Sequence, residues 1–256
     1  MNPDPPPISI IVTMYNRAPF VAAAIGSILL QTRKDFELVI WDDGSTDDSL
    51  AVARKAAGDD PRVRIIAGEH AGVAKAFNSA AHATRGKFFG WVDSDDGLVP
   101  TAIEEAAAVL EANPGVGMVY SDYLTMNEAG HIIGPGLRTK IPYSKDRLLI
   151  DFMSFQFRLI RREVFDRAGG MDDGAAGAED YDLCLRLSEQ TEIRHLARPL
   201  YFYRVHDRSV SSERRLWQIM QSKEAIARAL ARRGMDGEFE IDVQLVGRFR
   251  LRKKGV

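Results

Sequence analysis

Apolar residues fall into two rhythms along the first half of the chain. ISIIVT (8–13) is a continuous β-branched run, the pattern of a strand buried on both faces. Directly after it, APFVAAAIGSILLQ (18–31) spaces its apolar residues at helical intervals. The alternation repeats with FELVIWDDGS (36–45) as strand and DDSLAVARKAA (47–57) as helix, capped by Ser45 or Thr46. VRIIAG (63–68) then predicts a strand, GVAKAFNSAAHAT (72–84) a helix and KFFGWV (87–92) a strand. PTAIEEAAAVLEAN (100–113) predicts a helix with proline in its first turn, and VGMVYSDYLTM (116–126) a fifth strand. Strands and helices alternating at this pitch predict right-handed βαβ units and a doubly wound α/β sheet. Ligands of such sheets sit beyond the carboxyl ends of the strands.

The second half is looser. NEAGHIIG suggests a hairpin, YSKDRLLIDF a short amphipathic helix, and FQFRLIRREVFDRAGG a strand running into a helix stopped by glycine. AEDYDLCLRLSEQ (178–190) is helical, IRHLARPLYFYRVH (193–206) extended, and ERRLWQIMQSKEAIARALARRG (213–234) a long amphipathic helix.

Composition narrows the classes. The 256 residues suit one large α/β domain, and 34 Lys and Arg against 36 Asp and Glu give a net charge of −2. A general nucleic-acid binder would show a basic excess, so nucleic acid is not an expected partner. The one cysteine, Cys184, offers no internal disulfide and suits a reducing compartment. MNPDPPPIS has neither a basic nor an apolar leader region, and no window approaches the ~20 apolar residues of a membrane span. A cytoplasmic protein is expected.

Chemistry gathers where the strands end. Thr13, Tyr15 and Asn16 follow the first, Asp42 and Asp43 the second, and Asp93, Asp95 and Asp96 the fourth. The segment DSDDG has three readings: a solvated, helix-capping turn, a site for Mg²⁺ or Mn²⁺ on hard oxygen ligands, or a nucleophilic aspartate of phosphatase type. The last needs its acids after the first strand, where this chain has TMYN. In WDDGSTDDS a carboxylate can accept from a uracil-like N–H, Tyr15 can stack on a base and Thr13 can bond to it. Packing and helix capping are the plainer roles for the same residues.

Five ordered blocks over about residues 8–212 carry a resemblance: SIIVTMYNRAPFVAAAIGSILLQT, FELVIWDDGSTDDS, GVAKAFNSAAHATRGKFFGWVDSDD, GAEDYDLCLRL and YRVHDRSVS. Together they resemble the GT-A-fold glycosyltransferases of family 2, which move a sugar from a nucleoside diphosphate with inversion. The resemblance implies a Rossmann-like, mostly parallel sheet flanked by helices, with a C-terminal acceptor-side subregion and helix. It implies a nucleotide-sugar-binding half (8–126), an acceptor half (127–212), and flanking arm (1–7) and tail (213–256). Thr13, Tyr15, Asn16, Asp42 and Asp43 would surround the nucleobase. Lys75, where many relatives have arginine, and Asn78 would face the diphosphate or donor sugar, and Asp93 the ribose or sugar. Asp95 and His206 would hold Mn²⁺ or Mg²⁺, with Asp96 supporting through water or capping the next helix. Asp180, beside Glu179, would be the catalytic base, since an acceptor hydroxyl needs a carboxylate within reach to take its proton. Asp182 reads as solvent-facing or structural.

The donor implied is a nucleoside-diphosphate sugar, a UDP-sugar foremost, and the acceptor a glycan or lipid-linked hydroxyl. RRLWQIMQ stands in place of the QxxRW block of processive synthases, which favours addition of one or a few sugars. The basic end, Arg248, Arg250, Arg252, Lys253 and Lys254 with Phe249 and Leu251, suggests contact with anionic lipid at the inner face of the cell membrane. A frayed, solvated tail is the plainer reading. Among other classes, a sugar nucleotidyltransferase would need a Gly-rich loop where TMYNRAPF stands, and a dinucleotide oxidoreductase a G-x-G-x-x-G turn. A non-catalytic, nucleotide-sugar-binding relative acting as scaffold would keep the first three blocks and lose Asp180.

Overall fold

The computed structural model describes residues 6–206 and 215–244. Its strands are β1 (Ile8–Met14), β2 (Phe36–Asp42), β3 (Val63–Ala67), β4 (Phe88–Trp91), β5 (Gly97–Leu98), β6 (Val116–Met126), β7 (Ile132–Pro135), β8 (Arg158–Arg161) and β9 (Glu192–Arg204). The helices are α1 (Val21–Leu29), α2 (Ser49–Ala57), α3 (Val73–Ala83), α4 (Ala102–Ala112), α5 (Arg162–Ala168), α6 (Glu179–Gln190) and α7 (Arg215–Arg232).

One sheet runs in the order β3-β2-β1-β4-β8-β6-β9-β5, with β7 added on β6. The β-branched runs form the parallel part, in which Ile8 of β1 registers with Phe36 on one side and Phe88 on the other. Side chains alternate across it. Ile10 and Val12 pack with Ile25 and Ile28 of α1, whereas Ile11 packs into the opposite cluster with Phe77 and Ala80 of α3. The α/β expectation therefore holds, as does the hairpin, formed by β6 and β7.

Beyond β4 the plain alternation breaks. Strand β8 enters antiparallel between β4 and β6, so β6 does not neighbour β4. Gly90 makes that insertion possible, because a Cβ there would collide with the Arg158 carbonyl. Strand β6 then pairs parallel with the long β9, and the two-residue β5 closes antiparallel on β9. This returning β9 carries Tyr201 and Arg204 to the turn that follows β4.

Three local expectations are corrected. Helix α2 begins at Ser49 with neither Ser45 nor Thr46 as its cap. Instead, the Asp47 carboxylate accepts from the Ser49 N–H at 2.9 Å, and the Ser45 hydroxyl accepts from the Asn16 N–H at 3.0 Å. The helix expected in YSKDRLLIDF is a single 3-10 turn, Arg147–Leu149. Of the two readings of Asp182, the structural one holds and the solvent-facing one does not: it is 1% exposed and accepts from Arg186 at 2.7 Å.

A buried carboxylate ties the parallel strands β1, β2 and β3 together. Glu37 accepts from the Ser9 hydroxyl at 2.7 Å, the Arg85 N–H at 2.6 Å and the Arg64 guanidinium at 2.9 Å. Burial alone would raise its carboxyl; these donors outweigh burial and hold it below the usual range. No helix among the described residues is long and apolar enough to cross a membrane. The basic tail lies outside the described residues.

Candidate active site

The turn after β4 is built by splitting its three acids between two directions. Asp96 points inward, 2% exposed, and accepts from the Tyr201 hydroxyl at 2.8 Å and the Arg204 N–H at 2.7 Å. It ties the turn to β9 and does not cap the next helix. The Tyr201 oxygen in turn accepts from the Asp93 N–H at 3.1 Å, so one phenol fixes both ends of the turn. With its backbone held, the turn presents Asp95 and Asp93 to a cavity of about 230 Å³ that Thr13, Tyr15, Arg17 and Asp43 also line. The Asp95 Oδ2 lies 3.0 Å from the Nε2 of His206, just beyond β9, and 3.7 Å from the Arg17 Nε. His206 is enclosed, with its ring 4.6 Å from that of Phe20.

Crowding raises two of these acids. Burial, reinforced by Asp95, pushes the Asp93 carboxyl up to about 6, opposed by the Arg158 charge and the Gln156 amide. Burial raises Asp96 well above its ordinary value, with Asp95 and Asp93 adding to the effect.

At the far end of the cavity, Asp43 accepts from the Ala71 and Gly72 N–H groups at 2.9 and 3.1 Å. The Tyr15 ring stacks on His70, 4.1 Å between centroids and 21° between planes. Asp42 and Asn16 do not line this cavity. They brace the loop behind it: Asp42 accepts from the Ser45 N–H at 3.2 Å, and Asn16, at φ 52°, accepts from the Thr46 N–H at 2.8 Å. Lys75 and Asn78 also lie off it. Lys75 reaches Asp173 at 3.7 Å, and Asn78 both donates to and accepts from the Met171 backbone, at 2.8 and 2.9 Å.

Asp180 and Glu179 open α6. Asp180 lines a second cavity of about 460 Å³, together with Gln156, Asp93 and Tyr203. Its Oδ2 accepts from the Arg158 guanidinium at 3.0 Å. Arg158 is 1% exposed, sits over the Trp91 and Phe152 rings at 4.8 and 5.1 Å, and donates to the Ser154 carbonyl at 2.7 Å. Glu179 is raised by burial. Sequence reasoning missed Arg158, Arg17, His70 and Gln156. Arg17 stood two residues after Tyr15, a signal that was available, whereas Arg158, His70 and Gln156 gave none.

The donor set fits a divalent cation. A carboxylate oxygen and an imidazole nitrogen 3.0 Å apart match two adjacent ligands of an octahedral ion at about 2.1 Å each. No group of three or more His, Cys, Asp or Glu that could hold a metal occurs among the described residues. The remaining positions would fall to water or to oxygens of a bound ligand, the usual arrangement for Mg²⁺.

A family model described as glycosyl transferase family 2 matches residues 9–169. A chondroitin synthase of Escherichia coli is 31% identical over 206 residues, 80% of this chain and 30% of that protein. The O-antigen biosynthesis protein RfbC of Myxococcus xanthus is 34% identical over 204 residues, 78% of this chain and 16% of that one. The chain thus spans less than a third of the length of either relative. Among solved structures, S. aureus TarS in complex with UDP has a TM-score of 0.67 at 20% identity, covering 87% of this chain and 65% of that one. A mannosyltransferase of Pyrobaculum calidifontis, in complex with GDP-Man and Mn²⁺, also scores 0.67, at 21% identity over 92% of this chain and 66% of its own. These proteins share the GT-A fold with the chain. On the family match and the relatives together, the chain belongs to glycosyl transferase family 2.

Proposed function

We propose that the protein is an inverting, non-processive glycosyltransferase that moves a sugar from a nucleoside-diphosphate sugar, UDP-sugars foremost, to a hydroxyl of a glycan or lipid-linked acceptor. The observation that carries this reading is that Asp93 and Tyr203 line both cavities, so the nucleotide cleft opens onto the cleft holding Asp180. A donor anomeric carbon at that junction would lie between a leaving group at Asp95 and a base at Asp180. The UDP and GDP-Man held by the two structural neighbours support the donor class. The relatives' names, for chondroitin and O-antigen, support a glycan product.

Tyr15 and Asp43 hold the base end of the nucleotide, and Asp93 the ribose or donor sugar. Asp95 and His206 would hold Mn²⁺ or Mg²⁺, which when bound supplies Lewis-acid stabilisation of the departing diphosphate. Arg17, next to Asp95, adds positive charge on the same side. Asp180 accepts the acceptor proton as the hydroxyl oxygen attacks the anomeric carbon opposite the diphosphate. The new C–O bond forms as the bond to the diphosphate breaks, and the nucleoside diphosphate leaves with the electron pair. Arg158 takes the Oδ2 of Asp180, leaving Oδ1 for that proton.

Converting Asp180 to Asn tests the reading. Turnover should fall by about 10² or more, while UDP binding, measured by calorimetry, stays within about twofold. Near wild-type turnover in that variant would remove Asp180 from the role of base.

A further inference from the structure

A third cavity, of about 760 Å³, lies against the Asp180 cleft, and Phe152, Tyr181, Ile219, Ser222 and Arg138 line both. Its walls come from the 137–152 connection, one face of α7 and the segment that follows α7. Helix α7 divides its surface to make this wall. Ala225 and Ala229 are fully buried in the core, whereas Ile219, Ser222 and Ile226, three and four residues apart, line the trough. Ile150 and Phe239, on the other walls, are 79% and 55% exposed. Exposed apolar side chains gathered around one concavity suit an apolar ligand. At the junction with the Asp180 cleft, the Arg138 guanidinium lies over the Phe155 ring at 4.3 Å and donates to the Phe152 carbonyl at 2.9 Å. The passage between the two cavities is therefore walled by fixed rings.

We propose that this trough holds the hydrocarbon chain of a glycolipid acceptor whose sugar hydroxyl lies at Asp180. The inference rests on the transferase reading, because that reading places the acceptor hydroxyl in the adjoining cleft. Continuity selects the occupant: a molecule polar at Asp180 and apolar through Phe152 to Ile226 fills both cavities as one ligand. The volume, within the range of small-molecule sites, suits a medium-length chain or the first part of a longer one.

The test is calorimetric titration of the full chain with methyl, hexyl, heptyl and octyl β-D-glucosides below their micelle-forming concentrations. Each methylene taken into the trough should tighten binding about fourfold, the equivalent of about 0.8 kcal/mol. Ile150→Glu and Phe239→Glu replace exposed residues that the fold does not need. Each should abolish the chain-length dependence and leave stabilisation by UDP unchanged. That second readout separates failure of the trough from failure of the transferase reading. Octyl glucoside binding no tighter than the methyl compound overturns the proposal. So does a chain-length dependence that emerges only after residues 245–256 are removed, since the chain's own end would then be the occupant. Self-association of the wild type that Ile150→Glu abolishes would assign the trough to a second copy and equally overturn it.

Discussion

At the scale of single residues, Arg158 joins the two ends of the site. It binds Asp180 directly, and its charge opposes the rise of Asp93. An arginine buried this fully is held in one orientation by the Ser154 carbonyl and two aromatic faces. Arg158→Gln should therefore lower kcat at least about tenfold and raise donor KM by much less, because in the proposed mechanism it frees the base directly and reaches the nucleotide cleft only through its charge on Asp93. Asp180 is about a third exposed, so water can replace the lost partner, and the loss of stability should stay near 1–2 kcal/mol by urea unfolding. A donor KM that rises in step with the loss of kcat would instead place Arg158 in donor binding. The acids of this site were legible in the sequence because they stand together after strands. The cation that orients the base was not, since an arginine within a buried strand has no local signature, and its partner Asp180 lies 22 residues away.

At the scale of elements, the parallel strands were legible because their β-branched runs are long and buried on both faces. Strand β8 was readable as a strand, but its antiparallel place between β4 and β6 was not, because an apolar run does not encode its neighbour. Strand β5 has two residues, too few to show any period. Gly90→Ala tests the β4–β8 contact: it should cost about 1–3 kcal/mol through overpacking against the Arg158 backbone, measured as a fall in thermal midpoint. The buried Glu37 cluster gives a pH-dependent prediction. Its carboxyl titrates lower in the folded chain than in the unfolded one, so its stabilisation is complete above the unfolded value of about 4.3 and is lost as pH falls through the folded value. Glu37→Gln should destabilise by about 1–3 kcal/mol at pH 7, with the difference from wild type shrinking below about pH 4. A difference independent of pH would mean that the cluster acts by shape and not by charge.

At the scale of the whole molecule, two halves with different sheet logic meet along one line. Three parallel strand ends line the proposed nucleotide cleft, the inserted β8 and helix α6 carry Arg158 and Asp180 of the proposed acceptor cleft, and β9 brings Tyr201 and Arg204 to the turn between them. That arrangement explains why the loaded positions are scattered from Thr13 to Asp180 in sequence yet line adjoining cavities, with His206 reaching them through Asp95. Asn16, Asp42, Asn78 and Asp96 serve the same site at one remove, bracing the loops that shape it. The central claim is that this junction binds a nucleoside diphosphate with a divalent cation, and a thermal-shift panel tests it most directly. UDP, GDP, dTDP and CMP would each be added with Mn²⁺, Mg²⁺ or EDTA to the wild type and to Asp95→Ala. One nucleoside diphosphate should raise the midpoint by several degrees when present at about a hundredfold its dissociation constant, only with metal, and not in Asp95→Ala. No shift with any nucleotide, or the same shift in EDTA, would contradict the account.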